Sequence, residues 1–269
     1  SPELVRGAFV AGDVGCMRRA ASILAGPGEP AMPVAVIDEP SDAWFVPPGS
    51  VPLLQVVGEI PEVVLGQISA AAGRAAGDCV TWAARAALAG DIAAIVTAPL
   101  HQEALSAAGF DFPGHTELLQ SESARHLERT VEEVPVRMML ANDELRTVLV
   151  SIHVSLRAAI DAVTFDGVLQ TLRITHQDLS KALGHAPRIA VAGLNPHAGE
   201  GGLFGSEEQA VIAPAVDAAR AEGIAASGPY APDTVFMRAR KGEFDVVVAM
   251  YHDQGLIPVK YLGVEKGVN

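Results

Sequence analysis

Short, mainly apolar runs alternate with longer helical stretches along most of the chain. Residues 34–37, 53–57, 92–96, 189–192 and 245–250 form such runs, each bounded by glycine, proline or polar residues. Runs of this kind are typical of strands that are covered on both faces, as in parallel sheets. Residues 70–88 and 156–183 contain no proline and are long enough for helices. This alternation predicts an α/β fold with mostly parallel sheets and helices on both faces.

Several histidines lie at the ends of predicted strands. Three of them follow predicted strands at 146–152, 189–192 and 245–250: His153, His197 and His252. Because the carboxyl ends of parallel strands meet at one edge of a sheet, we expect these imidazoles to lie close together. Three neutral imidazoles with an open fourth position are a common site for a catalytic divalent metal. His101 and His115 also follow strand or turn ends, so the pattern alone leaves open which three would bind.

The loop that contains His197 has the sequence Gly-Leu-Asn-Pro-His-Ala-Gly-Glu-Gly-Gly (193–202). Its proline and four glycines exclude regular structure and allow the backbone to approach a ligand closely. Asp253, beside His252, is a candidate for orienting a ligand or transferring a proton, and a plain surface turn is the alternative. Lys260 lies between two apolar residues, so its amine either binds an anionic substrate group or extends into solvent.

Composition excludes several classes of function. The chain has 269 residues and a formal net charge of −13, so it lacks the basic surface that nucleic acids and anionic membranes require. No apolar run approaches the roughly 20 residues of a membrane span, and no signal-peptide pattern is present. Cys16 and Cys79 form no disulfide framework or metal motif, and we expect a cytoplasmic protein. The dinucleotide fingerprint is absent, so the residues alone indicate a metal-dependent enzyme for a small anionic metabolite.

Five motifs occur in order along the chain. They are Thr-Ala-Pro-Leu (97–100), Pro-Gly-His-Thr-Glu-Leu-Leu (113–119), the loop 193–202, Pro-Asp-Thr-Val-Phe (232–236) and Ala-Met-Tyr-His-Asp-Gln-Gly (249–255). Together they resemble the 4-hydroxythreonine-4-phosphate dehydrogenase family, from Ser1 to Asn269. The resemblance implies a two-domain fold like that of isocitrate and isopropylmalate dehydrogenases, with the active site in the interdomain cleft. The first domain would span 1–110, joined by about 265–269 and a further C-terminal segment. The second would span 111–264 and carry the metal histidines and the dimer interface.

The resemblance also implies a reaction. NAD, or NADP, would oxidise 4-phosphohydroxy-L-threonine with loss of carbon dioxide, a step in pyridoxal 5'-phosphate (vitamin B6) biosynthesis. A divalent ion (Zn, Mg or Co) would be held by His153, His197 and His252, with ligands drawn from both subunits of a homodimer. The phosphorylated four-carbon acid would be bound by four residues: His115, Thr116, Lys260 and Asn269. Asp253 and Lys260 are the catalytic candidates, and the residues that bind the nicotinamide cofactor are not identified.

Other functions remain open on the sequence. One branch of the family acts on four-carbon sugar-acid phosphates such as D-threonate or D-erythronate 4-phosphate, and another acts on aromatic dihydrodiols. Residues 97–100 and 115–119 are slightly more similar to the sugar-acid branch. A metal-dependent hydrolase and a non-catalytic binding protein are alternatives from other classes. Gln102 stands where many members have a phosphate-binding lysine. Beyond Asn269 we expect a further family segment with another phosphate-binding arginine and part of the NAD site.

Overall fold

The computed structural model describes residues 5–112 and 114–269, so Pro113 of the second motif lies outside the described residues. The chain divides into two compact units, Ser1–Pro135 and Val136–Asn269, and each has its own sheet. Among the described helices, none combines the length and the apolar character needed to cross a bilayer.

The first unit contains a three-stranded parallel sheet in the order β1-β3-β2. Its elements are β1 (Val10–Gly12), α1 (Val14–Leu24), β2 (Val34–Ile37), β3 (Val51–Gln55), α2 (Ala70–Ala89), α3 (Gln102–Ala107) and α4 (His115–His126). Helix α2 begins after Ser69, whose hydroxyl accepts a hydrogen bond from the Ala72 N–H, and ends at Gly90 in the left-handed conformation. A Cβ on Gly73 would lie 2.0 Å from the Ala104 carbonyl oxygen, so glycine there allows α3 to pack directly on α2.

One predicted element of the first unit does not form. Residues 92–96 were predicted to be a buried strand, but they have no regular structure, and the side chain of Val96 is 97% exposed. In the described part of the chain no strand pairs with them. A strand exists only where a neighbour satisfies its peptide groups, so an apolar run cannot form one alone.

The second unit contains a five-stranded sheet in the order β4-β5-β8-β6-β7, with only β4 antiparallel. Its strands are β4 (Met139–Ala141), β5 (Arg146–Leu149), β6 (Ile189–Ala192), β7 (Ala226–Tyr230) and β8 (Val246–Ala249). Its helices are α5 (Leu156–Asp161), α6 (Phe165–Leu183), α7 (Ala213–Ala221), α8 (Pro232–Arg240) and α9 (His252–Tyr261). The predicted strands at 146–152, 189–192 and 245–250 correspond to β5, β6 and β8. Strand β7 was not predicted, because glycine and proline interrupt its apolar pattern.

Successive residues of the central strands face opposite helix layers. In β8, Val246 and Val248 pack with residues of α6 and α7. Val247 and Ala249 pack with residues of α8 and α9. Strands β6 and β8 are buried along their whole length, which explains why both are continuous apolar runs. The predicted α/β class, with mostly parallel strands and helices on both faces, is confirmed.

The unit boundary lies between residues 135 and 136, whereas the sequence-based division was placed at residue 110. Helix α4 packs against α2 in the first unit, where Arg85 of α2 forms an ion pair with Glu122 of α4. Val268 pairs with Ala141 beside β4, which anchors residues near 268 in the second unit. The predicted domain organisation of the whole protein and its interdomain cleft stay predictions.

Candidate active site

Three histidine-bearing segments leave the second unit's sheet at one edge. Strands β5, β8 and β6 lie side by side and parallel, so their carboxyl ends point the same way. His153 follows β5, His252 begins α9 after β8, and His197 lies in the loop after β6. The strand order therefore places these three segments next to one another.

The rings of His153 and His252 lie close together. Their ring centroids are 5.5 Å apart. Two imidazoles bound tetrahedrally to one zinc ion at about 2.1 Å would have centroids about 5 Å apart. Nδ1 of His252 lies 2.7 Å from Oδ1 of Asp253. With Nδ1–H donating to this carboxylate, Nε2 keeps its lone pair for a ligand, an arrangement common around protein metals.

His197 lies at the same edge but is not grouped with that pair. Its ring centroid is 6.1 Å from that of Phe204, and it does not line the pocket beside His153 and His252. Within residues 5–112 and 114–269, no three His, Cys, Asp or Glu side chains are close enough to hold a metal ion. One chain therefore assembles two of the three predicted ligands, and ligation by His197 stays a prediction.

The turn that carries His197 has an uncommon backbone. Residues 197–201 are all left-handed, with φ between 40° and 78°. Glycine tolerates this conformation, but for His197, Ala198 and Glu200 it costs about 1–2 kcal/mol each. Strain of this size persists only where the surrounding structure holds the backbone, and it is concentrated at functional sites.

A cavity of about 340 Å³ lies beside the histidine pair. Its polar lining consists of four residues that the sequence had singled out: His153, His252, Lys260 and Asn269. Its apolar wall consists of Met138, Leu140, Leu256 and Val259. The volume suits a small metabolite. Lys260, on the last turn of α9, adds a positive charge to this lining, and Asn269 adds an amide.

The other two predicted substrate residues belong to the first unit. His115 and Thr116 are half-buried at the first two positions of α4, directly after Gly114. Free peptide N–H groups at a helix start favour an anion. Their contact with a substrate stays a prediction.

Two polar residues near the His197 loop were not among the candidates from the sequence. Glu208 accepts hydrogen bonds from the backbone N–H groups of Leu194 and Asn195. The Gln254 side chain donates to the Gly193 carbonyl oxygen. Acidic residues are common at helix starts, so Glu208 carries no distinctive sequence signal. Gln254 lies within the motif 249–255, so membership of that motif could have identified it as a site residue.

Comparisons with known proteins agree with this fold. A family model described as pyridoxal phosphate biosynthetic protein PdxA matches residues 5–269. A 4-hydroxythreonine-4-phosphate dehydrogenase of Beijerinckia indica is 58% identical over 207 residues, 76% of this chain and 58% of that protein. A D-threonate 4-phosphate dehydrogenase of Pectobacterium atrosepticum is 42% identical over 257 residues, 95% of this chain and 76% of that protein.

Solved structures show the same relationship. The crystal structure of a 4-hydroxythreonine-4-phosphate dehydrogenase from Klebsiella pneumoniae has a TM-score of 0.83 and 38% sequence identity, and the match covers 96% of this chain and 76% of that one. The chain spans just under three fifths of the Beijerinckia relative's length. The family model nevertheless matches almost the whole chain, and the chain therefore belongs to the family of the pyridoxal phosphate biosynthetic protein PdxA.

Proposed function

We propose that the protein is a nicotinamide-dependent dehydrogenase that oxidises a small phosphorylated four-carbon acid with the help of a divalent metal. The pocket of the second unit carries this proposal, because it combines the His153–His252 pair with the Lys260 cation and the Asn269 amide. A metal-binding pair next to a cation suits a substrate with an alcohol to oxidise and an anionic group to anchor.

The first candidate substrate is 4-phosphohydroxy-L-threonine, oxidised and decarboxylated in pyridoxal 5'-phosphate biosynthesis. The name of the relative that is 58% identical supports it. The second is D-threonate or D-erythronate 4-phosphate. The relative named for D-threonate 4-phosphate supports it, because its match covers 95% of this chain. Both substrates need the same site chemistry, and they differ in the amino or hydroxyl group beside the carboxylate.

We propose a role for each site residue. His153, His252 and His197 hold the metal, and the Asp253 carboxylate keeps the His252 ring in place through Nδ1. Lys260 binds an anionic group of the substrate, and Asn269, His115 and Thr116 complete its binding. Asp253 and Lys260 are the groups proposed for proton transfer. When bound, the metal would polarise the substrate's alcohol oxygen, and NAD or NADP would accept the hydride.

We further propose a homodimer whose second copy helps to complete the metal site. One chain groups only two of the three histidines. Large apolar side chains are exposed after each histidine: Val154 and Leu156 after His153, Leu203 and Phe204 after His197, and Ile257 and Tyr261 after His252. Exposed apolar groups around an incomplete site are what an interface between copies would cover. The free cysteines Cys16 and Cys79 are compatible with the proposed cytoplasmic location.

The test is NADH formation by the full-length protein with each substrate in parallel, with NAD or NADP and with added Zn²⁺, Co²⁺ or Mg²⁺. We expect turnover of one substrate, abolished by a chelator and by His252→Ala. His185→Ala is the matched control, because His185 is exposed and does not line the pocket. Metal-dependent release of phosphate or another hydrolysis product without NADH would instead favour the hydrolase alternative. Sedimentation of the Leu203→Glu variant as a monomer, with weaker metal binding, would support the shared site.

A further inference from the structure

The buried carboxylate of Glu208 lies against the start of the left-handed turn. Its side chain is 3% exposed. Oε1 accepts hydrogen bonds from the backbone N–H groups of Leu194 and Asn195, both at 2.7 Å. Oε2 accepts a hydrogen bond from the side-chain amide nitrogen Nδ2 of Asn195 at 3.0 Å. Three donors thus converge on one carboxylate just before the segment that carries His197.

The same carboxylate also touches the turn after His197. A Cβ on Gly193 would lie 3.1 Å from Oε1, and a Cβ on Gly199 would lie 2.7 Å from Oε2. Glycine at both positions therefore allows the carboxylate to fit between the two ends of the turn. Glu208 is also the first residue of a π-helical turn, Glu208–Ile212, and such turns are frequent at functional sites.

Two more residues fix this arrangement. Oε2 of Glu207 accepts a hydrogen bond from the Asn195 amide at 2.7 Å, so this amide is shared by two carboxylates. Gln254 donates to the Gly193 carbonyl oxygen at 2.8 Å and accepts from the Met250 N–H at 2.7 Å. Gln254 thereby connects the start of the His197 loop to the end of β8, two residues before His252.

We propose that Glu208 is a positioning residue that holds the left-handed turn in the shape that presents His197, and that Gln254 joins this turn to the His252 segment. The inference rests on the proposed metal centre, since His197 matters there as a ligand. Glu208 acts through the backbone and through Asn195. Its contribution is the geometry of the turn.

This role requires a carboxylate at position 208, because all three groups that hydrogen-bond to it are donors. In Glu208→Gln, the amide NH₂ would face either the two backbone N–H groups or the Asn195 amide, and one of these contacts becomes a donor facing a donor. Glutamine has nearly the same size, so this variant removes the acceptor and leaves the packing almost unchanged.

The experiment measures amide hydrogen exchange and cobalt binding in the full-length protein. Metal-free Glu208→Gln should exchange the amides of residues 194–205 about tenfold faster than the unsubstituted protein. Its affinity for Co²⁺, followed by the visible spectrum of the bound ion, should fall about 10- to 100-fold. Gln254→Met removes the hydrogen bonds from Gln254 to Gly193 and from Met250 to Gln254. It should also raise the exchange rates at 194–205 and lower the cobalt affinity.

The control is Leu179→Ala, which opens a cavity in the same core at a residue that is 7% exposed and lies on α6, a helix separate from the turn and from the segment 208–221. It should lower the melting temperature without changing exchange at 194–205 or cobalt affinity. The proposal is overturned if folded Glu208→Gln keeps the exchange rates at 194–205 and the cobalt affinity within twofold of the unsubstituted protein, or if Leu179→Ala changes these two quantities equally. If the unsubstituted protein binds no metal, the proposed metal centre fails, and hydrogen exchange alone decides the role of Glu208.

Discussion

Gly255 lies where α9 packs on the sheet, and Gly255→Ala should push the helix and the sheet apart. The added Cβ would lie 2.4 Å from Cδ2 of Leu149 and 3.0 Å from Cβ of Ala249. Ordinary carbon–carbon contacts are about 3.5–4.0 Å. Both neighbours are fully buried, and the Ala249 Cβ cannot rotate away because it is attached directly to β8.

The size of the effect follows from these distances. Restoring normal contact requires a shift of about 1 Å, and overpacking of this kind costs about 1–3 kcal/mol. Alanine favours a helix over glycine by at most about 1 kcal/mol, which offsets part of that cost. We expect the free energy of unfolding of the second unit to fall by about 1–2 kcal/mol. Because α9 begins at His252, affinity at the proposed metal site should fall as well.

The assay must report on the second unit. Both tryptophans, Trp44 and Trp82, lie in the first unit, so tryptophan fluorescence follows the wrong part of the chain. Hydrogen exchange of the β8 amides in increasing urea measures the second unit directly. Gly58→Ala controls for the specificity of the assay, because Gly58 lies in the first unit and a Cβ there would meet nothing within 4 Å. In Gly255→Ala/Leu149→Ala, the two losses should be less than additive by about 1 kcal/mol. A Gly255→Ala protein as stable as the unsubstituted one, or strict additivity, would refute the packing argument.

Three further outcomes are expected. Lys260→Met should raise the KM for the proposed phosphorylated substrate about 10- to 100-fold, since a charge-assisted hydrogen bond contributes about 1.5–3 kcal/mol. An unchanged KM would contradict the role proposed for Lys260. Asp245→Asn should lower stability at neutral pH, because hydrogen bonds from Arg188 lower the pKa of Asp245. That stability is present above the ordinary pKa of 3.8 and is lost as the pH falls through the lower folded-state pKa, so urea unfolding of the two proteins should converge in acid. Burial raises the pKa of the Cys79 thiol from 9.0 to about 11, so near pH 8 it should react with iodoacetamide about 100-fold more slowly in the folded protein than in urea, as measured by mass spectrometry.

Local sequence was sufficient for the elements whose burial is two-sided. Residues 189–192 and 245–250 were predicted as buried strands. They contain β6 and β8, whose side chains all enter one of two apolar layers. The helix predicted at 70–88 is also present as Ala70–Ala89, since its alanines favour a helix and Gly90 ends it. The motifs were sufficient for the family, because they preserve residue order and spacing independently of any tertiary contact.

Tertiary structure decided the features that depend on partners distant in sequence. The same kind of apolar run formed a strand at 189–192 and none at 92–96, because only the first has neighbouring strands in the described part of the chain. The order β5-β8-β6 places the three histidine segments side by side. The sequence identified those histidines as candidates but did not give the order of the strands that carry them.

The left-handed turn at 197–201 is the clearest case of a feature that the sequence alone does not predict. Three of its five residues are not glycine, so no local preference predicts positive φ there. That conformation is held by Glu208, which lies beyond the turn, and by Gln254, which is 61 residues away from its partner Gly193. Hydrogen bonds over such separations form only after the sheet has brought the strand ends together, and this is why the turn could be read only from the folded chain.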